Sequence, residues 1–152
     1  MLVLLAFGMI DFSRALYDHE VMINVSREGS NQAARGGGTS INAALSNAIT
    51  AVVLGAAPLD FAGSNGKVII SAVFNNAGNI TVISQATRGT LSTANSLVGT
   101  VGSGAKMPKT SPQIPSTNKT MYVTEVFYGF APVTPVGKLF MSPTQLYDAA
   151  YF

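Results

Sequence analysis

The side chains that could do chemistry in this sequence are few, and the single histidine is the first to consider. His19 stands between Asp18 and Glu20. A metal site there would need further carboxylates from a neighbouring copy of the chain, because one histidine and its flanking acids do not complete a coordination shell. A solvated histidine on a helix is the simpler interpretation. We therefore predict no metal site and no cofactor.

Catalytic sets of other kinds are also not evident. The sequence has no cysteine, so thiolate catalysis and cysteine-based metal sites are excluded. The stretch GTVGSGAK, from Gly99 to Lys106, shares its glycines with a phosphate-binding loop, but there the lysine directly follows a glycine. Here Ala105 precedes the lysine, and Pro108 follows soon after. We predict that the protein is not an enzyme.

The charged residues are too few and too dispersed for nucleic-acid binding. They make up 11% of the chain, and the nine basic residues give a net charge of only +2. A nucleic-acid-binding surface gathers basic side chains on one face. So low a charge indicates a surface that is largely covered by something else, and repeated copies of the same chain would cover it.

The chain opens with an apolar segment, MLVLLAFGMI, which we call the tip (residues 1–10). Ten residues cannot cross a bilayer, which needs about 20. A secretory signal would have a basic start and a small-residue cleavage site, and neither is present. We expect the sequence to begin inside a longer apolar segment.

The tip continues into a helical pattern without an intervening proline, which predicts one helix over residues 1–35. At 1.5 Å per residue this helix is about 50 Å long. Three consecutive glycines, Gly36, Gly37 and Gly38, predict its end or a hinge. A helix for assembly or membrane contact is our interpretation, and a core helix of a globular domain is the alternative.

Two sets of side chains on this helix are candidates for assembly. Asp11, Arg14 and Asp18 share a face at spacings of three and four, so they are predicted to pair within the helix or between neighbouring helices and to fix axial register. The second set is apolar and is predicted to pack in the core of a filament: Leu2, Leu4, Leu5, Phe7, Ile10, Phe12 and Leu16.

The remainder, residues 36–152, predicts a globular head of the α+β class. A second helix begins near Thr39 or Ser40 and ends before Gly55 and Pro58. Two β-rich runs, 67–75 and 79–87, flank the turn NNAG, and a third strand covers 120–130. The loop 88–119 is predicted to be a surface excursion with a short helix near 92–98. The final stretch, SPTQLYDAAYF, has the start of a capped helix.

The N-terminal stretch LLAFGMIDFSRALYDHEVMINVSREGSNQAA resembles the signature of TadE-like pseudopilins. The resemblance lies in an apolar run, then FG-I-DF-RAL, then REG and a later AA. The stretch from Met121 to Phe140 is also similar to the last strand and loop of that family. Two features depart from the pattern: the glutamate upstream of the apolar run is missing, and Asn31 replaces a second arginine.

The resemblance implies an exported protein, anchored by its N-terminal helix and assembled by a tight-adherence pilus system. Its partners would be copies of itself, other pilins, an inner-membrane platform and an assembly ATPase. It would lie in the inner membrane before assembly and in an extracellular filament or on the cell surface afterwards.

Three functions stay open at this point. The first is a structural filament subunit, and the second is a minor pseudopilin that primes or caps a pilus. The third is a surface adhesin or ligand-binding module that uses the loop 88–119.

Overall fold

The long N-terminal helix dominates the computed structural model, which describes residues 2–36, 40–107, 113–140 and 142–152. This helix, α1, spans Leu2–Arg35. Gly36 follows it at a close approach, because a Cβ atom there would lie 2.5 Å from the Cβ of Ala44. The helix ends at Arg35, directly before Gly36, whereas Gly37 and Gly38 lie outside the described residues.

The second helix, α2, spans Ile41–Leu54 and packs beside α1. Ser40 caps it, since the Ser40 hydroxyl accepts a hydrogen bond from the Ala43 amide at 3.3 Å. Its apolar face, which includes Leu45, Ile49 and Val52, is buried as the periodicity predicts.

The head contains one antiparallel sheet of four strands in the order β2-β1-β3-β4. The strands are β1 (Gly66–Asn76), β2 (Asn79–Arg88), β3 (Thr120–Phe130) and β4 (Thr144–Tyr151). A two-residue turn at Ala77 and Gly78, both with positive φ, joins β1 to β2. A short helix, α3 (Pro135–Phe140), connects β3 to β4. The α+β class, the long helix and the antiparallel sheet are thus confirmed.

Different elements pack on the two faces of the sheet. On one face α1 and α2 enclose the main core, in which Met22, Leu45, Ile70 and Val126 are buried. On the other face the long loop supplies Val98, which packs with Val73, Val82 and Val123. A second small cluster there joins Ala94 to Ile69 and Phe127. The loop therefore covers the sheet rather than only extending from the surface.

Two predictions about local structure are wrong. The C-terminal stretch is the edge strand β4, because hydrogen bonding to the free edge of β3 outweighs the local helix signal. The short helix near 92–98 is also absent, because that part of the described chain follows the sheet and places Ala94 and Val98 against it.

Candidate assembly surface

The tip projects from the head as an exposed apolar helix. Leu2, Leu4, Leu5 and Ile10 are each about half exposed or more, and Phe7 is half-buried. Farther along α1, Phe12 and Leu16 are exposed as well. Apart from the half-buried Phe7, the side chains predicted for filament packing are therefore exposed and not covered by the head.

Asp11 lies where α1 contacts α3 and the segment before it. Its side chain is fully buried. One carboxylate oxygen accepts the Val133 amide at 2.9 Å and the Thr134 amide at 3.4 Å, while the other accepts the Thr134 hydroxyl. The hydrogen bond from Thr134 lowers the pKa of Asp11 most strongly; its desolvation opposes this, and the Arg14 charge adds a smaller lowering. Asp11 is therefore a charged acceptor that holds the segment before α3 against α1.

The backbone of α3 sits directly on this carboxylate. A Cβ atom added to Gly137 would lie 1.9 Å from an Asp11 carboxylate oxygen. The Thr134 hydroxyl also accepts the Gly137 amide at 3.0 Å, which caps the first turn of α3. Glycine at this position is what permits the approach of the two helices.

Arg14 and Asp18, the other two members of the predicted pairing set, lie on the same side of α1. The Arg14 guanidinium carbon stands 5.8 Å from the ring centroid of Phe130, at cation–π distance. Asp18 is buried, and desolvation raises its pKa while the charge of Arg14 opposes that rise. Asp11 and Asp18 thus face the head, whereas Arg14 is exposed beside Phe130. Whether it also fixes register between neighbouring helices stays a prediction.

Beyond Asp18, α1 packs on the sheet through small and polar residues. The Ser30 hydroxyl donates to the carbonyl of Ala150 at 2.8 Å and lies 2.9 Å from the hydroxyl of Thr124. Ser26 donates to the carboxylate of Asp148. At Gly29 the helix comes so close that an added Cβ would lie 2.8 Å from the side chain of Thr124.

The sequence pattern does not predict these contacts, although it contains one signal for them. Ser26, Gly29, Ser30 and Ala33 recur at spacings of three and four, so they form a strip of small residues on one face of the helix. Such a strip indicates close packing. The partners on β3 and β4 lie about a hundred residues away, and no local pattern predicts them.

The other candidate for chemistry, His19, is half-buried on α1. Within residues 2–36, 40–107, 113–140 and 142–152, no group of three or more His, Asp or Glu side chains is placed to hold a metal ion. None of the helices in the described parts of the chain is both long enough and apolar enough to span a membrane.

A comparison with known families gives a match over the N-terminal part of this surface. Residues 1–31 match the model of the family described as TadE-like protein. The match covers the tip, Asp11, Arg14, Asp18 and the strip of small residues up to Ser30, and it relates this segment to the pilin-like proteins of Tad pili. No curated protein and no solved structure matches the chain.

Proposed function

From its TadE-like N-terminal segment, we propose that the protein is a structural, non-enzymatic pilin-like subunit of an extracellular bacterial filament. The observation that carries the proposal is the tip, which is helical, apolar and left uncovered by its own head. An apolar helix that is exposed in the single subunit is expected to be buried elsewhere, either in lipid or against other protein. Burial among the tips of neighbouring subunits would form the filament core.

Assembly would transfer the tip from one apolar environment to another. Before assembly the tip lies in the inner membrane; afterwards Leu4, Leu5 and their neighbours contact tips of other subunits. The hydrophobic contribution is retained across this step, since both environments exclude water. A repeated head-to-tail contact whose rotation does not close then yields a helical polymer.

The charged residues of α1 would set how each subunit sits in that polymer. Asp11 and Asp18 are buried against their own head, so we propose that their pairing with Arg14 is intramolecular. The hydrogen bonds that Asp11 accepts from Val133 and Thr134 hold the head at one position along the helix. Arg14, the exposed member, is the one that can also reach a neighbouring subunit.

The direct test replaces two tip leucines with charged residues. Leu4 and Leu5 are 52% and 60% exposed, so the double variant Leu4→Asp/Leu5→Asp should leave the head folded and abolish the polymer. Leu97→Asp/Val101→Asp is the matched control, because these side chains are 58% and 57% exposed on the loop side of the head. Sheared cell-surface material would be imaged by electron microscopy and its protein identified by mass.

Filaments made of the double variant would refute the proposal. Filaments made chiefly of the unchanged protein and of its control would support it. A third result would favour the related role of a minor pseudopilin that primes or caps another pilus. In that case mass spectrometry would find the chain at a small fraction of a different major subunit, and the tip variant would reduce the number of filaments.

A further inference from the structure

The end of the head from which the tip emerges is built by α3 and the segment before it. β3 runs antiparallel to α1: Thr124 contacts Ser30, and Thr134, just past the end of β3, contacts Asp11. The chain therefore advances toward the tip and reaches α3 where α1 leaves the head. At the rise of an α-helix, residues 2–10 extend about 14 Å beyond Asp11.

This end of the head exposes apolar side chains and positive charge together. Leu139 on α3 is 77% exposed, and Val133 just before α3 is 51% exposed. Among the described residues 2–17 and 131–140 the charged side chains are Asp11, Arg14 and Lys138. Arg14 and Lys138 are exposed, whereas Asp11 is buried beneath Thr134.

We propose that this end of the head, which we call the collar (Arg14, Val133, Lys138 and Leu139), contacts the surface of an anionic lipid bilayer while the tip is inserted. The inference rests on the proposed function in one respect, namely that the tip enters a bilayer before assembly. Leu139 and Val133 reach the boundary between headgroups and acyl chains, and Lys138 and Arg14 lie at the level of the lipid phosphates.

The collar fits a lipid surface in both position and charge. It lies next to the tip, because Asp11, the residue that follows the tip, contacts Thr134 and lies against Gly137 of α3. The Asp11 contacts hold α3 at a fixed height on α1, which fixes how deeply the tip enters. Anionic headgroups would neutralise Lys138 and Arg14, whereas two collars that paired symmetrically would bring these like charges together.

The test measures binding of the full-length protein to vesicles by co-sedimentation. One set of vesicles is pure phosphatidylcholine, and the other is an equal mixture of phosphatidylcholine and phosphatidylglycerol. We expect Leu139→Ser to weaken binding to both by about tenfold, through loss of apolar burial. We expect Lys138→Gln to weaken binding to the mixed vesicles by about fivefold and to leave binding to phosphatidylcholine unchanged.

The matched control is Leu54→Ser, since Leu54 at the end of α2 is 80% exposed and lies away from the collar. Equal binding by the Leu139→Ser and Leu54→Ser variants would overturn the proposal. So would intact vesicle binding by Leu139→Ser together with loss of filaments, which would assign the collar to a second copy. Circular dichroism checks the fold, and Val133→Ser repeats the test if Leu139→Ser is unfolded.

A separate variant distinguishes failure of the inference from failure of its premise. Leu4→Asp/Leu5→Asp should abolish vesicle binding if the tip inserts. Unchanged binding by that variant would refute insertion of the tip, whatever the collar variants show. Loss of binding in the tip variant with no effect of Leu139→Ser would refute the collar alone.

Discussion

The carboxylate of Asp11 holds the segment before α3 against α1. It lies at the boundary between the exposed tip and the part of α1 that is packed on the head, and it accepts hydrogen bonds from Val133 and Thr134. Replacing it with alanine leaves the two backbone amides and the Thr134 hydroxyl without their acceptor. We expect Asp11→Ala to speed amide hydrogen exchange in α3 and leave exchange in β1 unchanged. Equal protection of α3 in the variant would contradict this role.

The same carboxylate gives the contact a pH dependence of known sign. The pKa of Asp11 is lowered from its usual 3.8, chiefly by the hydrogen bond from Thr134. A carboxyl whose pKa is lower in the folded state stabilises the fold at pH above its unfolded value, and this contribution is lost as pH falls through the folded pKa. We expect the protection of the α3 amides, relative to their intrinsic exchange rates at the same pH, to fall below about pH 4. In Asp11→Asn that acid-induced step should be absent.

Gly29 tests how closely α1 must approach the sheet. A Cβ atom there would lie 2.8 Å from Thr124, whereas Gly8 in the tip has nothing within 4 Å. Gly29→Ala should therefore lower the free energy of unfolding by about 1–3 kcal/mol through overpacking. Gly8→Ala should leave it unchanged or raise it, since alanine favours a helix over glycine by about 1 kcal/mol. Urea denaturation of both variants makes the comparison, and equal stability of the two would refute close packing at Gly29.

Among the structural elements, the long loop packs on the face of the sheet opposite α1 and α2. Its residue Val98 is buried against Val73, Val82 and Val123, whereas Val101 three residues later is exposed. Val98→Ala should cost about 2 kcal/mol, because two buried methyl groups are lost. Val101→Ala should cost almost nothing. Urea denaturation midpoints measure both changes in the free energy of unfolding, provided that the transitions have equal slopes. A negligible loss of stability in Val98→Ala would show that the loop does not stabilise the sheet.

This covering role changes how an adhesin function can be tested. Deleting the whole loop would uncover the apolar face of the sheet and confound attachment with unfolding. The loop is held by Glu125, a buried β3 carboxylate that accepts the Ser96 hydroxyl and, at 2.8 Å, the Leu97 amide. Substitutions at its exposed positions, such as Asn95, leave these contacts in place and are the better test of ligand binding.

Elements with a strong local pattern could be predicted from the sequence, and elements set by distant partners could not. α1 has apolar and polar residues at helical spacing and no proline, and β1 and β2 flank a turn with glycine. β4 has no such signal, since its Ala149 and Ala150 favour a helix as readily as a strand. The free edge of β3, over Val123–Phe130, decides the outcome.

A hydroxyl residue followed by proline, the pattern that predicts a C-terminal helix, begins a helix at α3 and not at β4. Ser142–Pro143 precedes β4, whereas Thr134–Pro135 begins α3, and there the Thr134 hydroxyl accepts the Gly137 amide. Both pairs place proline where a first helical turn could begin. Only at Thr134 does a tertiary acceptor, Asp11, hold the cap in place. The same holds for the site as a whole: its apolar tip was predictable, whereas its contacts with α3 and β4 required the fold.

In the molecule as a whole, the buried clusters of the head and the proposed assembly surface lie in separate parts of the chain. The described tip residues, Leu2–Ile10, belong to none of the buried clusters of the head. Its substitution should therefore leave the unfolding free energy of the isolated subunit unchanged. In the proposed polymer, burial of the tips would link folding to association. A partner that binds only the folded state raises its apparent stability.

This separation predicts how the melting temperature depends on protein concentration. Across a hundredfold dilution, in detergent-free buffer, the melting temperature of the unchanged protein should fall as polymers dissociate. That of Leu4→Asp/Leu5→Asp should stay constant and should match the dilute limit of the unchanged protein. The Leu97→Asp/Val101→Asp control should keep the concentration dependence. A tip variant that melts below the dilute limit of the unchanged protein would show that the tip stabilises the head directly. If the melting temperature of the tip variant still depends on concentration, the assembly contacts lie elsewhere on the head.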